Sequence, residues 1–471
     1  MKYNINIPKP VFEIINSLQK AGFEAYIVGG AVRDILTGKA VNDWDFTTNA
    51  TPEEMLKIFK KAYYDNKFGT VGIPSPIPEE RPYEITTFRT EHGYSDRRRP
   101  DKVRWGKSLE EDLSRRDFTI NAMAFELIRN GQLIPDDTKS ILQITARLID
   151  NFHGQDDLSK KLIRTVGDPN KRFQEDALRM MRAIRIASEI GFTVDEDTLS
   201  AIRKNASLIN QISKERIREE ILKLISSKFP ADGMLLLKNS GLMEIVLPEL
   251  HASFGVEQKS PGRHHIFDVG THSILSLKFV SERNSDPITR FATLIHDIGK
   301  PATRKVLENG TITFYNHEVV GGIISKRISK RLRFSKKDAD KLFRLVRWHQ
   351  FSVDEHQTDS AIRRFIKRVG KENIKDIIDL RIGDRLGGGA KMTSWRLEEY
   401  IRRISEVQKQ PFSITDLRIS GYDVMRIKKI DTGPLVGKIL KEIFKKVVNK
   451  EIENKRDVLL KEIEKYGDTN S

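Results

Sequence analysis

With 471 residues the chain has room for roughly three domains, and at 38% hydrophobic content it can bury real cores, which excludes wholesale disorder. It has no cysteine, so disulfides and thiolate metal sites are excluded. Lysine plus arginine outnumber aspartate plus glutamate 82 to 66, and the net charge of +16 points to a polyanionic partner, nucleic acid ahead of a membrane surface.

The polar start, MKYNINIPKP, has no signal-peptide pattern, and no apolar run reaches membrane-spanning length, so a cytoplasmic protein is expected. Residues 9–20 read as an amphipathic helix. The most informative stretch follows, Tyr26 to Phe46, YIVGGAVRDILTGKAVNDWDF. Its apolar run Tyr26, Ile27, Val28 predicts a strand ending in Gly29 and Gly30. Val32, Ile35 and Leu36 on one side, with Arg33 and Asp34 on the other, predict a helix closed by Gly38. Asp43-Trp44-Asp45-Phe46 then reads as a second strand. Its alternation turns Asp43 and Asp45 to one face and Trp44 to the other, toward a core. Two such carboxylates repel unless a cation lies between them, and oxygen-only ligands suit Mg²⁺ shared with substrate phosphates. The glycine pair lets backbone amides at a helix start approach a phosphate.

Further on, Thr51-Pro52-Glu53-Glu54 opens another helix, with proline suited to its first turn. Pro74, Pro76, Pro78 and Pro82 mark a loop between two short strands, the second running from Tyr83 to Phe88. Glu84 in that strand is a candidate third carboxylate, set against the plain reading of a solvated strand glutamate. Arg89 to Trp105 contains Arg97, Arg98 and Arg99 in a row. Alone it is a solvated loop; beside a nucleotide site it reads as a mobile element that touches phosphates or RNA. The segment DLSRRDFTINAM, residues 112–123, leads into an apolar strand.

The glycine pair, short helix and Asp-x-Asp resemble the signature of the DNA polymerase β-type nucleotidyltransferases. The ordered set VGGAVRD, DWD, EITTFRTEHGYSDRRRP and RRDFTINAM resembles more specifically the bacterial-type (class II) tRNA nucleotidyltransferase and poly(A) polymerase family. RTVGDPNKRFQEDALRMMRAIRIASEIGF (residues 164–192), ISKERIREEILKLI (212–225) and ISGYDVMRIKKIDTGPLVGKIL near the C-terminus extend the likeness over nearly the whole chain. The fold it implies is multidomain α+β. A nucleotidyltransferase head with a mixed sheet (1–145) precedes an all-α, base-reading neck (146–230), an HD-containing body (231–405) and a helical, tRNA-binding tail (406–471).

The resemblance implies that Asp43 and Asp45 hold Mg²⁺, with Glu84 beside them, and that Gly30, Arg33 and Arg116 cradle a triphosphate. It also implies that Asp176 and Arg179 read the incoming base and that Arg182 and Arg185 line the same pocket. Glu175, Asp176, Arg179, Arg182 and Arg185 fall on a stretch that reads as one helix, for which the plain account is a core helix with a solvated basic edge. The chemistry favours a reader. Carboxylate only accepts hydrogen bonds and guanidinium only donates them. Cytosine and adenine offer an amine donor next to a ring-nitrogen acceptor; uracil and guanine present the reverse. An Asp–Arg pair therefore accepts C and A and opposes like groups with U and G.

Six of the ten histidines lie between 264 and 349. A lone histidine beside an apolar run is usually a satisfied core group. The order His272, His296-Asp297 and a distant Asp384 resembles instead the HD metal-dependent phosphohydrolase domain. It implies that these four are metal ligands and that His317 and His349 serve a second ion. Imidazole and carboxylate suit a transition metal better than magnesium.

The function implied is template-independent addition of CCA to the tRNA 3′ end from CTP and ATP, releasing pyrophosphate, with an HD phosphohydrolase side activity. The alternatives are CC-only or A-only addition, poly(A) polymerase, and an HD phosphohydrolase with an RNA-binding head. Basic residues 160–185 and Lys438, Lys441, Lys445, Lys446 and Lys450 are expected to follow the tRNA backbone.

Overall fold

The computed structural model of the chain describes residues 1–64, 69–76, 81–92, 102–106, 108–133, 141–258, 267–354, 356–409, 414–449 and 451–466. The fold is mixed α+β, a sheet with helices followed by a long helical region. It divides into two compact units, residues 1–256 with 285–287 and 327–335, and residues 257–284, 288–326 and 336–471. No described helix is long and apolar enough to cross a membrane.

The first unit opens with β1 (Lys2–Pro8) and α1 (Lys9–Lys20). Val11, Ile14, Ile15 and Leu18, three and four apart, are the buried residues of α1, as its periodicity requires. β2 (Ala25–Val28) stops where Gly29 takes φ 72°, and α2 (Gly30–Leu36) begins at once. Next come β3 (Asp45–Thr48), α3 (Pro52–Ile58), β4 (Tyr63–Tyr64), β5 (Thr70–Ile73) and β6 (Tyr83–Thr87). Thr51 caps α3 by accepting from the Glu54 N–H, and the Glu54 carboxylate accepts from the Thr51 N–H in return. β7 (Arg89–His92) and β8 (Lys102–Trp105) pair antiparallel as a separate ribbon. Pro78 and Arg97, Arg98 and Arg99 lie outside the described residues. After α4 (Leu109–Ser114), β9 (Ala124–Leu133) and β10 (Ile141–Ile149) complete a mixed eight-stranded sheet of order β1-β10-β9-β2-β3-β6-β5-β4.

One sheet face is the core: Ile27, Phe46, Val71, Ile85 and Phe125 belong to one buried apolar cluster. The other face, at the β3–β6 centre, carries polar side chains. One expectation changes here. Asp43 is not a strand residue, because β3 begins at Asp45 opposite Val28, the last residue of β2. Gly29 has already turned the chain away, so positions before Asp45 have no β2 partner.

The unit continues with α5 (Gly154–Ser159), α6 (Pro169–Glu175), α7 (Leu178–Ile190), α8 (Glu196–Asn205) and α9 (Lys214–Ser226). The stretch expected to be one helix through residues 175–185 is two. Asp176 leaves the helical region (φ −139°, ψ 105°), ends α6, and its Oδ1 accepts from the Leu178 N–H at 2.9 Å to start α7. An aspartate that offers its own carboxylate to the next turn's orphan N–H is a helix boundary rather than an interior residue.

The second unit is mostly helical. Helices Val269–Ser281 and Ile374–Gly387 pack closely at Gly383 and Gly387. A Cβ at Gly387 would lie 2.7 Å from the Ser276 backbone nitrogen, and one at Gly383 would lie 3.0 Å from its carbonyl oxygen. Farther along, residues 417–463 form their own buried cluster, including Val424, Ile439, Ile443 and Leu459. Of the lysines expected to follow RNA, Lys445 pairs with Glu442 and Lys446 with Glu462, and both lysines remain about half exposed. Lys450 lies outside the described residues.

Candidate active site and metal centre

At the centre of the sheet, β3 and β6 run parallel with Asp45 directly opposite Glu84, so both side chains stand on the polar face. Burial raises the Asp45 carboxyl above the usual carboxylate range; Arg116 works against this, and the charge of Asp43 adds to it. Asp43 is more exposed and accepts from Arg81 Nη1 at 3.0 and 3.2 Å. The donor set is all oxygen, and Asp45 is under electrostatic pressure that a divalent cation would relieve, so the residues fit such an ion. Gly29 makes the close approach feasible: a Cβ there would lie 3.1 Å from Arg116 Nη1 and 3.2 Å from Asp45 Oδ2.

Arginines surround this acid. Arg33, on α2, donates to Asp34 Oδ1 at 2.9 Å and to Asn121 Oδ1 at 3.0 Å. Arg115 and Arg116 both bind Asp112, which is fully buried. Burial pushes the Asp112 carboxyl up, but the two guanidiniums more than offset it and hold it low. The Arg116 Nε–H is buried without a hydrogen-bond partner.

A cavity of about 340 Å³ is lined by Asp45, Phe46, Thr86, Arg115, Arg116, Asp117, Asp176, Arg179, Arg182 and Arg216. Of the sequence-predicted residues, Asp45, Arg116, Asp176, Arg179 and Arg182 meet there. Gly30, Arg33, Asp43 and Glu84 are not among the lining residues. Arg185 departs from expectation: it donates to Glu220 and Glu189, each at 2.7 Å, and does not line the cavity. Because α7 turns 100° per residue, a row spaced by three drifts off the cavity side within two turns.

The two proposed base readers are not paired with each other. Asp176 Oδ2 accepts from Arg216 Nη2 at 3.0 Å, while Arg179 donates to Glu175 at 2.6 Å and to the Arg115 carbonyl at 3.1 Å. Asp176 keeps lone pairs on both oxygens, and Arg179 keeps N–H groups, so each has capacity for a ligand. Arg216 Nη1 is buried without a hydrogen-bond partner at the cavity wall. Arg182 donates through Nε and Nη2 to Asp117 Oδ2 at 2.9 and 2.6 Å. Burial raises the Asp117 carboxyl, but Arg182 dominates and brings it down to about 2.

Sequence reasoning missed Asp117, Arg115, Arg216 and Thr86 as site residues. The first two lie within RRDFTINAM and the third within ISKERIREE, so the segments were visible while the roles were not.

In the second unit, the six predicted metal-binding side chains come together. His272 Nε2 lies 3.1 Å from Asp384 Oδ1 and 3.3 Å from His296 Nε2. The Gly383–Gly387 contact places this end of one helix against the other. His317 Nε2 lies 3.3 Å from His349 Nε2. Asp297 links the groups, with Oδ2 at 3.2 Å from His296 Nε2 and Oδ1 at 3.3 Å from His317 Nε2. Lys300 Nζ also reaches Asp297 Oδ2, at 2.6 Å. Three rings are oriented from behind: the Nδ1 atoms of His296, His317 and His349 face the carbonyls of Thr293, Phe314 and Val346 at 2.7, 2.9 and 2.7 Å. That arrangement fixes Nε2 as the inward lone pair, as metal-binding histidines require. His272 Nδ1 is buried without such a partner. Burial lowers His296, yet Asp297 and Asp384 push it up to about 10, so a metal ion binding there displaces a proton from Nε2. Burial lowers His349, keeping it the neutral ligand form. His272, His296 and Asp384 form one group whose ligand atoms are close enough to hold a metal ion, and Asp297, His317 and His349 form another.

Three family models match the chain: the poly A polymerase head domain over residues 25–164, the probable RNA and SrmB-binding site of polymerase A over 191–254, and tRNA nucleotidyltransferase domain 2 over 326–463. A CCA-adding enzyme of Limosilactobacillus reuteri is 32% identical over 466 residues, 97% of this chain and 96% of that protein. One from Geobacillus kaustophilus is 46% identical over 249 residues, 52% of this chain; the matched segment spans about half of that relative, 56% of its length. The crystal structure of the Bacillus stearothermophilus CCA-adding enzyme in complex with CTP superposes with a TM-score of 0.65 at 30% identity, covering 97% of each chain.

Proposed function

We propose that this chain, which belongs to the family of CCA-adding enzymes, adds C, C and A in turn to the 3′ end of tRNA from CTP and ATP, releasing pyrophosphate. The single observation that carries the proposal is the cavity joining Asp45 to Asp176 and Arg179. It sets a place for phosphoryl chemistry beside a place for reading one base, and no nucleic-acid template is required for the choice.

Asp43 and Asp45, with Glu84 beside them, would hold magnesium. Bound there, magnesium lowers the pKa of the RNA 3′-hydroxyl and neutralises charge on the triphosphate and the departing pyrophosphate. Arg116 supplies fixed positive charge next to Asp45, and Arg33 supplies it in α2, whose first backbone amides, after Gly29, would meet the triphosphate. The Asp176 carboxylate accepts from the amine of cytosine or adenine, and Arg179 donates to the adjacent ring nitrogen. Both are held before any ligand arrives, Asp176 by Arg216 and Leu178, Arg179 by Glu175 and the Arg115 carbonyl. Catalysis then consists of positioning and charge compensation that need no rearrangement at the moment of reaction. The reaction belongs in the cytoplasm, with tRNA as partner.

The test is product length. Full chain, magnesium, CTP, ATP and a tRNA lacking its last three nucleotides are expected to give three additions and then stop. A long adenosine tract would make the protein a poly(A) polymerase; additions limited to C or to A would make it a CC-only or A-only enzyme.

A second activity is favoured by one observation, the division of the Asp297 carboxylate between two histidine groups. We infer that His272, His296, Asp297 and Asp384 hold one ion and that Asp297, His317 and His349 hold another. Such a pair supports metal-assisted hydrolysis of a phosphate ester.

A further inference from the structure

The sheet face that bears Asp45 also carries an aromatic side chain that this chemistry does not use. Register runs straight across four strands to the sheet edge: Asp45 stands opposite Glu84, Glu84 opposite Gly72, and Gly72 opposite Tyr63 of the edge strand β4. Cross-strand partners point to the same face, so Tyr63 shares the face of the two carboxylates. The alternate residues agree: Phe46, Ile85 and Val71 are buried on the opposite side.

Tyr63 leans inward over its neighbour. A Cβ at Gly72 would lie 2.5 Å from Tyr63 Cζ and 2.8 Å from its Oη, so the far end of the ring lies over the glycine backbone. Any larger residue at 72 would lift it. The residue is nevertheless 43% exposed, so a base has access to it. Strands about 4.8 Å apart put Gly72 roughly 10 Å from Asp45, within the reach of a single nucleotide. Lys57, Lys60 and Lys61, just before β4, are exposed and can meet a phosphate backbone.

We propose that Tyr63 is the stacking platform for the base of the acceptor RNA's 3′-terminal nucleotide, holding its hydroxyl beside Asp45 and Glu84. The proposal rests on the nucleotidyl-transfer reading above. It also answers a problem specific to that reaction. The acceptor ends in the tRNA's own last base before the first addition and in cytosine before the second and third, so a site that read one base by hydrogen bonds would fail at another step. Aromatic stacking tolerates any base.

Kinetics with a tRNA lacking its last three nucleotides test this. Tyr63→Ala and Tyr63→Leu are expected to raise KM for the tRNA about tenfold and to leave KM for CTP unchanged, whereas Tyr63→Phe keeps the parent values. Leucine still covers Gly72, so its loss of function would separate stacking from support of the edge strand. With 2-aminopurine as the acceptor's terminal base, fluorescence should be quenched in complexes of the parent and Tyr63→Phe and restored with Tyr63→Leu. Unchanged quenching in Tyr63→Leu, or a KM rise confined to CTP, overturns the proposal. If the parent adds no nucleotide to this tRNA, the nucleotidyl-transfer reading itself fails. If it adds them and Tyr63→Leu matches it, only the stacking role is lost.

Discussion

Asp176 is held by Arg216, whose Nη2 donates to its Oδ2 at 3.0 Å, and not by Arg179 three residues along the chain. The proposed base reader is thus assembled across two helices, with the acid at the α6–α7 break and its support on α9. The separation of roles explains how Arg179 remains available to a ligand.

Removing Asp176 and removing its support should therefore differ in degree. Asp176→Ala is expected to abolish the preference for CTP over UTP. Arg216→Lys, which loses the planar fork but keeps the charge, should weaken that preference about tenfold. tRNA affinity should change little in either. Single-turnover incorporation of each triphosphate, alongside filter binding of tRNA, provides the check.

Asp45→Asn should lower CTP incorporation by at least about a hundredfold, since it removes a charged ligand where transition-state charge is compensated. Metal binding at the histidine centre should be untouched. Labelled-CTP incorporation and manganese binding on the same preparation separate a site effect from misfolding.

The Asp117–Arg182 pair makes a pH-dependent contribution to stability. Asp117 titrates at about 2 in the folded chain, below the ordinary value of 3.8. A depressed carboxylate stabilises above its unfolded pKa and loses that contribution as pH falls through the folded one. The parent should exceed Asp117→Asn by about 2 kcal/mol near pH 5, with the gap closing between pH 4 and pH 2. Urea unfolding followed at several pH values measures it.

In the histidine centre, Asp297 serves both groups while His349 serves one. If each group holds one manganese ion, Asp297→Asn is expected to weaken binding at both groups, and His349→Ala to remove binding at one. Equilibrium dialysis with elemental analysis counts the ions whether or not a substrate is known.

Much of this was legible in the chain before folding. Val11, Ile14, Ile15 and Leu18 announce α1 by spacing, and Gly29-Gly30 announces the strand-to-helix turn because only a residue free of Cβ suits φ 72° beside Asp45. What escaped depends on contacts distant in sequence. Arg216 lies 40 residues from Asp176 and Arg182 lies 65 from Asp117, and no local pattern encodes such pairs. The break at Asp176 was hidden for another reason: the helical periodicity on both sides is strong, and the aspartate's own cap decides against continuity. Asp43 departs from the expected alternation because β2 ends at Val28, opposite Asp45, and leaves the two residues before Asp45 without a partner there.

A crystal structure of the chain soaked with CTP and magnesium examines the joint role of these residues most directly. The expected result has the cytosine amine hydrogen-bonded to Asp176, its N3 facing Arg179, and the triphosphate lying between Arg116 and a cation on Asp45. A nucleotide bound with its base away from Asp176, or its phosphates away from Asp45, would contradict the assignment.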